Sequence, residues 1–224
     1  MSFAIIKLSY INPGDDSLVG GVCGTGFFVN NYVAVTANHV LNIDTFTPNA
    51  GCHHVMVWII SRRGTAILLK RADIETFPEI DTTILRLDGS MPNREIYKIS
   101  DHDVALGLPV RAIGHVGNAM PRINAGWEGT FFRLYSASLD GVACDADRNI
   151  KRCLTINVNA NDIRMQNVSG LELSFGSCVG MSGGPVIDKN LNMVVGMLSI
   201  GLPPDSAVKS ATFAVAAHEI KRRI

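Results

Sequence analysis

The residues best suited to covalent chemistry lie in Gly180–Pro185, which reads Gly-Met-Ser-Gly-Gly-Pro. A serine hydroxyl is a poor nucleophile. It needs a base within hydrogen-bond reach and donors for the oxyanion that its attack creates. Glycines before and after Ser182 open backbone dihedrals that are closed to other residues. A turn of this kind aims the backbone N–H groups of Gly180 and Ser182 at one point. Taken alone, the six residues read also as a glycine-rich turn ahead of a strand, so a base has to be found elsewhere in the chain.

His39 is the best candidate for that base. Gly24–Leu41 reads GTGFFVNNYVAVTANHVL, a strand, an Asn-Asn turn and a second strand, which together predict a hairpin. His39 follows the second strand, where its imidazole can face a cleft. Imidazole titrates near ~6.5, which suits a general base. The other histidines, His53, His54, His102, His115 and His218, lack this context. Asp81 opens the run DTTILRL. An aspartate before an apolar strand suits a carboxylate that accepts the imidazole Nδ1–H and fixes its tautomer. By itself it reads equally as a surface or capping residue. Asp73 and Asp88 compete for the role without the same surroundings.

These residues need a scaffold, and the rest of the chain supplies short β-rich runs. They are Phe3–Tyr10, Gly24–Val29, Val33–Thr36, Val55–Ser61, Ala66–Lys70, Thr83–Leu87, Val110–His115, Thr130–Ser136, Leu154–Val158, Pro185–Asp188, Met193–Ser199 and Thr212–Val215. Val, Ile, Phe and Thr fill them, and Asn, Gly, Pro and Asp separate them. A dozen short strands predict an all-β sandwich or barrels. Ala37–Leu41 reads as one helical turn, and Ala216–Ile224 as a terminal helix with a basic C-terminal end. The polar stretch Ser100–Leu108 divides the chain into units 1–100 and 101–224. Asn118–Gly126 and Asp140–Arg152 read as exposed loops.

Composition narrows the function. The 224 residues carry 20 Lys plus Arg against 20 Asp plus Glu, so no net charge draws the chain to nucleic acid or an anionic membrane. Met1–Tyr10 lacks a basic leader and a cleavage site, and no apolar run is long enough to span a bilayer. A soluble, cytoplasmic protein is the expectation. Five cysteines, Cys23, Cys52, Cys144, Cys153 and Cys178, form no C-x-x-C pair. Their odd number and irregular spacing point to buried, reduced thiols, with Cys144 and Cys153 the one pair that an oxidising setting would join.

Taken together, the motifs resemble the trypsin/chymotrypsin superfamily of serine proteases, and its bacterial HtrA-like and viral branches more than its digestive enzymes. GTGFFVN with VTANHVL resembles the family's G-x-G-F and T-A-A-H segments. IDTTILRL resembles D-x-A-L-L-x-L, and GMSGGPV resembles G-x-S-G-G-P-V. The order is His, Asp, Ser, at separations of 42 and 101 positions. Ser199-Ile200-Gly201 resembles the segment that lines the specificity pocket and pairs with substrate backbone. The resemblance runs from about Gly20 to Val215. It implies two antiparallel six-stranded β-barrels with the active site in the cleft between them and a short C-terminal helix. It also implies a serine endopeptidase with catalytic His39, Asp81 and Ser182, an oxyanion hole at Gly180 and Ser182, and substrate contacts at Gly176, Ser177, Ser199, Ile200 and Gly201. Ser199 is expected beside Asp81. No cofactor or metal is implied. The expected partner is a polypeptide substrate, with a regulatory protein left open and no further domain expected after Ile224.

The departures from the pattern carry information. Met181 replaces the acid that pairs with a new N-terminus in zymogen activation, so that ion pair is not expected. Asn38 stands in place of the usual alanine. Cys178 matches half of a pocket disulfide without its partner. No aspartate lies near Gly176 and Ser177, and Leu198 is not a histidine, so the pocket is expected to take a small or medium apolar side chain. The alternative is a catalytically silent homologue that binds peptides or proteins. A metal site at Cys52-His53-His54 is disfavoured, because neighbours on a strand point to opposite faces.

Overall fold

Apolar side chains on β1 (Ser2–Asn12) alternate between two cores. Phe3 and Ile5 enter one cluster, while Ala4, Ile6 and Leu8 enter another. Period-two alternation sends consecutive side chains to opposite faces, and here both faces are buried. Burying one such Phe or Ile contributes about 1.5–3 kcal/mol. The computed structural model describes residues 2–12, 15–48, 50–61, 65–88, 94–102, 104–116, 119–123, 136–149, 154–158, 161–165, 168–202 and 211–224.

The first half builds an antiparallel sheet around β1. Its strands are β2 (Asp15–Phe28), β3 (Val33–Ala37), β4 (His54–Ser61), β5 (Ala66–Leu68), β6 (Ile74–Phe77) and β7 (Thr82–Arg86). Their order is β5-β4-β1-β2-β3-β7-β6, with β9 (Ala119–Ile123) paired to β2. The second half contributes β8 (Pro109–His115), β10 (Ser136–Asn149), β11 (Leu154–Val158), β12 (Asn161–Met165), β13 (Ser169–Leu173), β14 (Pro185–Asp188), β15 (Met193–Leu202) and β16 (Ala211–Ala216). Six of these strands close a barrel in the order β10-β13-β16-β15-β14-β8, while β11 and β12 form a separate hairpin. The chain ends in α1 (Ala217–Lys221).

The all-β class with a short terminal helix is therefore as expected, and the two halves differ in closure. The C-terminal barrel closes through its ladders, whereas the N-terminal sheet curls without closing. One continuous core joins Phe27, Phe28, Ile59 and Ile84 of the first half to Ile187, Met197, Ile200 and Ile220 of the second.

Two expected loops are strands over the residues that are described. Asp140–Asn149 belongs to β10, which pairs with β8 and β13. Its polar composition hides an element that is held by main-chain ladders on both sides. Within Asn118–Gly126, Ala119–Ile123 is β9. The register on β2 slips between Leu18 and Gly20, opposite the stretch holding Pro121, which has no N–H to give to a ladder. Residues 130–135 of a predicted strand, the loop residues 118, 124–126 and 150–152, and Cys153 with its pairing lie outside the described residues. The described thiols are less buried than expected: Cys23 and Cys52 are half-buried and free, and Cys178 is free and exposed. Among the described residues no helix is long and apolar enough to cross a membrane.

Candidate active site

The chain leaves β3 at Ala37 and enters a single 3₁₀ turn, Asn38–Val40, which carries His39 at the sheet's rim. The Asn38 N–H donates to the Asp81 carbonyl at 3.0 Å and ties this turn to the entrance of β7. Asp81 terminates a second 3₁₀ turn, Pro78–Ile80, in the left-handed region at φ 46° and ψ 42°. Aspartate enters that region more readily than most residues because its short side chain can bond locally. The twist turns the carboxylate inward, and Asp81 is only 1% exposed.

Burying a carboxylate is costly unless its oxygens are hydrogen-bonded. Those of Asp81 are. Oδ1 accepts the His39 backbone N–H at 3.0 Å, and Oδ2 accepts the His39 Nδ1–H at 2.9 Å. The Ser199 hydroxyl also donates to Oδ2. An ionised carboxylate only accepts, so the contact places an imidazole proton on Nδ1, and in the neutral ring Nε2 is then the acceptor. The expected neighbour relation of Ser199 and Asp81 is thus present, across 118 residues of chain. Asn38, the departure beside the histidine, accepts from Thr83 Oγ1 at 3.4 Å.

Ser182 sits on the turn between the second barrel's wall and β14. Gly180 and Gly183 take φ of 91° and 84°. A Cβ on Gly183 would lie 2.1 Å from the Thr25 carbonyl oxygen, so the turn closes only with glycine there. The turn is fixed from within by Met181 N–H to the Cys178 carbonyl, 3.1 Å, and Gly184 N–H to the Met181 carbonyl, 2.9 Å. The second bond turns the Ser182 N–H to the other side of the same peptide plane. Among the described residues, neither the Gly180 nor the Ser182 N–H donates to a protein acceptor. Met181 is fully buried in the barrel core against Gly114, an apolar plug in place of an ion-pairing acid.

His39, Gly180, Ser182, Ser177 and Ser199–Gly201 line one cleft of about 400 Å³. Ser182 Oγ donates to the Ser199 carbonyl at 3.3 Å, and no hydrogen bond joins it to His39. A Cβ on Gly201 would meet Ser177 Oγ at 2.4 Å, which shows how closely these two segments approach. Gly176 lies next to Ser177 in the chain and is not part of the cleft lining. The rest of the lining was not legible in the sequence. It is built by Lys7, Val22, Cys23, Asn42, Asp44 and Thr45. Lys7 occupies an ordinary polar position on β1, and its Nζ donates to the Asp44 carbonyl at 3.4 Å. Only Cys23, next to the GTGFF run, had a sequence signal nearby. Burial pushes its thiol pKa up, against the opposing influence of Lys7. Among the described residues, no group of three metal-ligating side chains assembles.

Residues 24–197 match the model of the trypsin-like peptidase domain. No curated protein sequence matches. Among solved structures, the serine endoprotease from Yersinia pestis superposes with a TM-score of 0.60 at 14% identity, over 98% of this chain and 60% of that one. The HtrA-type protease AlgW with a tripeptide gives a TM-score of 0.60 at 16% identity, over 99% and 59%. The chain thus spans about three fifths of the length of these neighbours, and the likeness is one of fold.

Proposed function

Because the chain belongs to the trypsin-like peptidase family, we propose that it is a serine endopeptidase acting through an acyl-enzyme. In this reading unit 1–100 supplies His39 and Asp81, and unit 101–224 supplies Ser182. Ser182 Oγ turns from the Ser199 carbonyl to His39 Nε2, gives up its proton and attacks the peptide carbonyl. The Gly180 and Ser182 N–H groups receive the oxyanion. His39 then protonates the leaving amine, and water repeats the sequence on the ester. Hydrogen bonds of this kind often tighten only once substrate is bound.

The observation that carries the reading is the buried, fully hydrogen-bonded Asp81 carboxylate holding His39 Nδ1 in the cleft that Ser182 also lines. The strand Ser199–Gly201 is the edge on which the substrate's acyl side would pair. With no carboxylate at Ser177 or along that edge, the residue before the scissile bond is a small or medium apolar one. The test is a fluorophosphonate probe. It is expected to label the protein at Ser182 and to leave Ser182→Ala unlabelled. An unlabelled parent protein would favour the silent peptide-binding homologue instead.

A further inference from the structure

We propose that Thr25 is a positioning residue that sets the oxyanion turn from across the boundary between the first sheet and the closed barrel; this rests on the protease reading above. Thr25 lies on β2 in the first half, between Gly24 and Gly26, and is completely buried. Its backbone N–H donates to the Ser182 carbonyl at 2.8 Å. Its Oγ1 donates to the Gly180 carbonyl, also at 2.8 Å. One residue of the first sheet therefore holds the main-chain carbonyls of both residues whose N–H groups would receive the oxyanion.

The direction of the hydroxyl bond follows from proton counting. A threonine hydroxyl has one hydrogen to give. The His115 backbone N–H donates to Thr25 Oγ1 at 2.8 Å, which occupies an acceptor site on that oxygen. The one hydroxyl hydrogen is then directed at the Gly180 carbonyl. The result is a relay from a β8 amide, through a β2 hydroxyl, to the turn of Ser182. Chains of this kind polarise and strengthen each link. The Thr25 carbonyl is itself held by Thr36 Oγ1 at 2.7 Å, so the clamp is anchored on β3 as well.

The clamp acts where the turn is least determined by its own sequence. Gly180 has φ of 91°, and a glycine has other wells of similar energy available. The bond to Thr25 Oγ1 holds the peptide plane after Gly180 at its carbonyl, while the Met181 N–H bond to Cys178 holds the same plane at its other side. Without the Thr25 bond that plane keeps one restraint in place of two, and the Gly180 Cα that presents the N–H to the cleft is less firmly held. Valine at position 25 keeps the shape and removes the donor, while serine keeps the donor and removes a methyl group. The His39–Asp81 pair touches neither atom, so the effect belongs to the step in which negative charge develops.

The experiment compares Thr25→Val, Thr25→Ser and Thr25→Ala with the parent in peptide hydrolysis, and measures binding of a peptide boronate that forms a tetrahedral adduct. Removing one direct oxyanion donor costs about 10²–10³ in rate, and a clamp acting through such a donor is expected to cost less. Thr25→Val is expected to lose about ten- to a hundredfold in kcat with KM within twofold. It should weaken the boronate by the same factor, while Thr25→Ser stays within threefold of the parent. Serine and alanine both lack the methyl group, so their ratio isolates the hydroxyl even if valine is not accommodated. Equal rates and boronate affinities for serine and alanine would overturn the role. So would a loss expressed in KM alone. A parent protein without hydrolytic activity would instead overturn the protease reading, and this role with it.

Discussion

The two walls of the cleft are held by different means. On the first sheet Asp81 accepts from the His39 backbone, the His39 ring and the Ser199 hydroxyl, and the His39 side chain is only 10% exposed. On the closed barrel the main chain of the serine turn is fixed, but Ser182 Oγ rests on the Ser199 carbonyl. The difference follows from the cost of burial. A buried carboxylate is tolerable only when fully hydrogen-bonded, so His39 and Asp81 are assembled together with the fold. A half-exposed hydroxyl carries no such penalty and can wait one rotamer away from its partner. In this molecule pre-organisation is concentrated where a charge is buried.

The sharpest way to break this comparison is to remove the charge. Asp81→Asn keeps the shape and replaces one acceptor oxygen with a donor, which favours the wrong imidazole tautomer. Hydrolysis is expected to fall about 10⁴-fold in kcat with the fold retained, as read by steady-state kinetics beside circular dichroism. A loss of less than tenfold would mean that the Asp81 constellation is only structural. On the other wall the vulnerable feature is backbone, not charge. Gly183→Ala adds a Cβ 2.1 Å from the Thr25 carbonyl oxygen at a φ of 84°. Left-handed strain costs about 1–2 kcal/mol and overpacking about 1–3 kcal/mol. Denaturant unfolding is therefore expected to show a loss of about 2–5 kcal/mol. An unchanged midpoint would show that the turn gives way easily and is not fixed as described.

This contrast also explains what could be read from the chain. Gly180–Pro185, His39 and Asp81 stand out because each needs a rare local arrangement, and those arrangements leave residues of unusual type in short runs. β1, β3, β4 and β7 are legible because buried strands keep Val, Ile and Phe in register with the pleat. β10 and β9 are not. Asp140–Asn149 is polar and Ala119–Ile123 contains Pro121, and both owe their strand character to neighbours distant in sequence. The same holds for the wall of Lys7, Asn42 and Asp44, which turns bring to the cleft with no local mark. In the sequence Thr25 is only one letter of the GTGFF run, since its partners Gly180 and His115 lie 155 and 90 residues away. Gly176 shows the converse: analogy alone places it in the pocket, and the cleft is lined by Ser177 beside it.

The smallest effect separates the walls by solvent access alone, and two thiols report on it. Cys23 is half-buried on the histidine side, where burial pushes its pKa up. Cys178 is exposed beside the serine turn. The thiolate is the reacting form, so a raised pKa means less thiolate at a given pH and slower alkylation. The sign for stability follows from the same shift: the folded state holds the Cys23 proton more tightly than the unfolded chain does. That contribution is complete below the unfolded thiol's pKa and is lost as pH rises through the higher folded value. Iodoacetamide at about pH 7.5, followed by peptide mass spectrometry, is expected to modify exposed Cys178 faster than Cys23, whose burial both shields the sulfur and holds the thiol protonated. Raising the pH should narrow the gap as Cys23 begins to ionise. Equal rates at the lower pH would mean that the histidine wall admits solvent as freely as the serine wall, and that the contrast in packing between them does not hold.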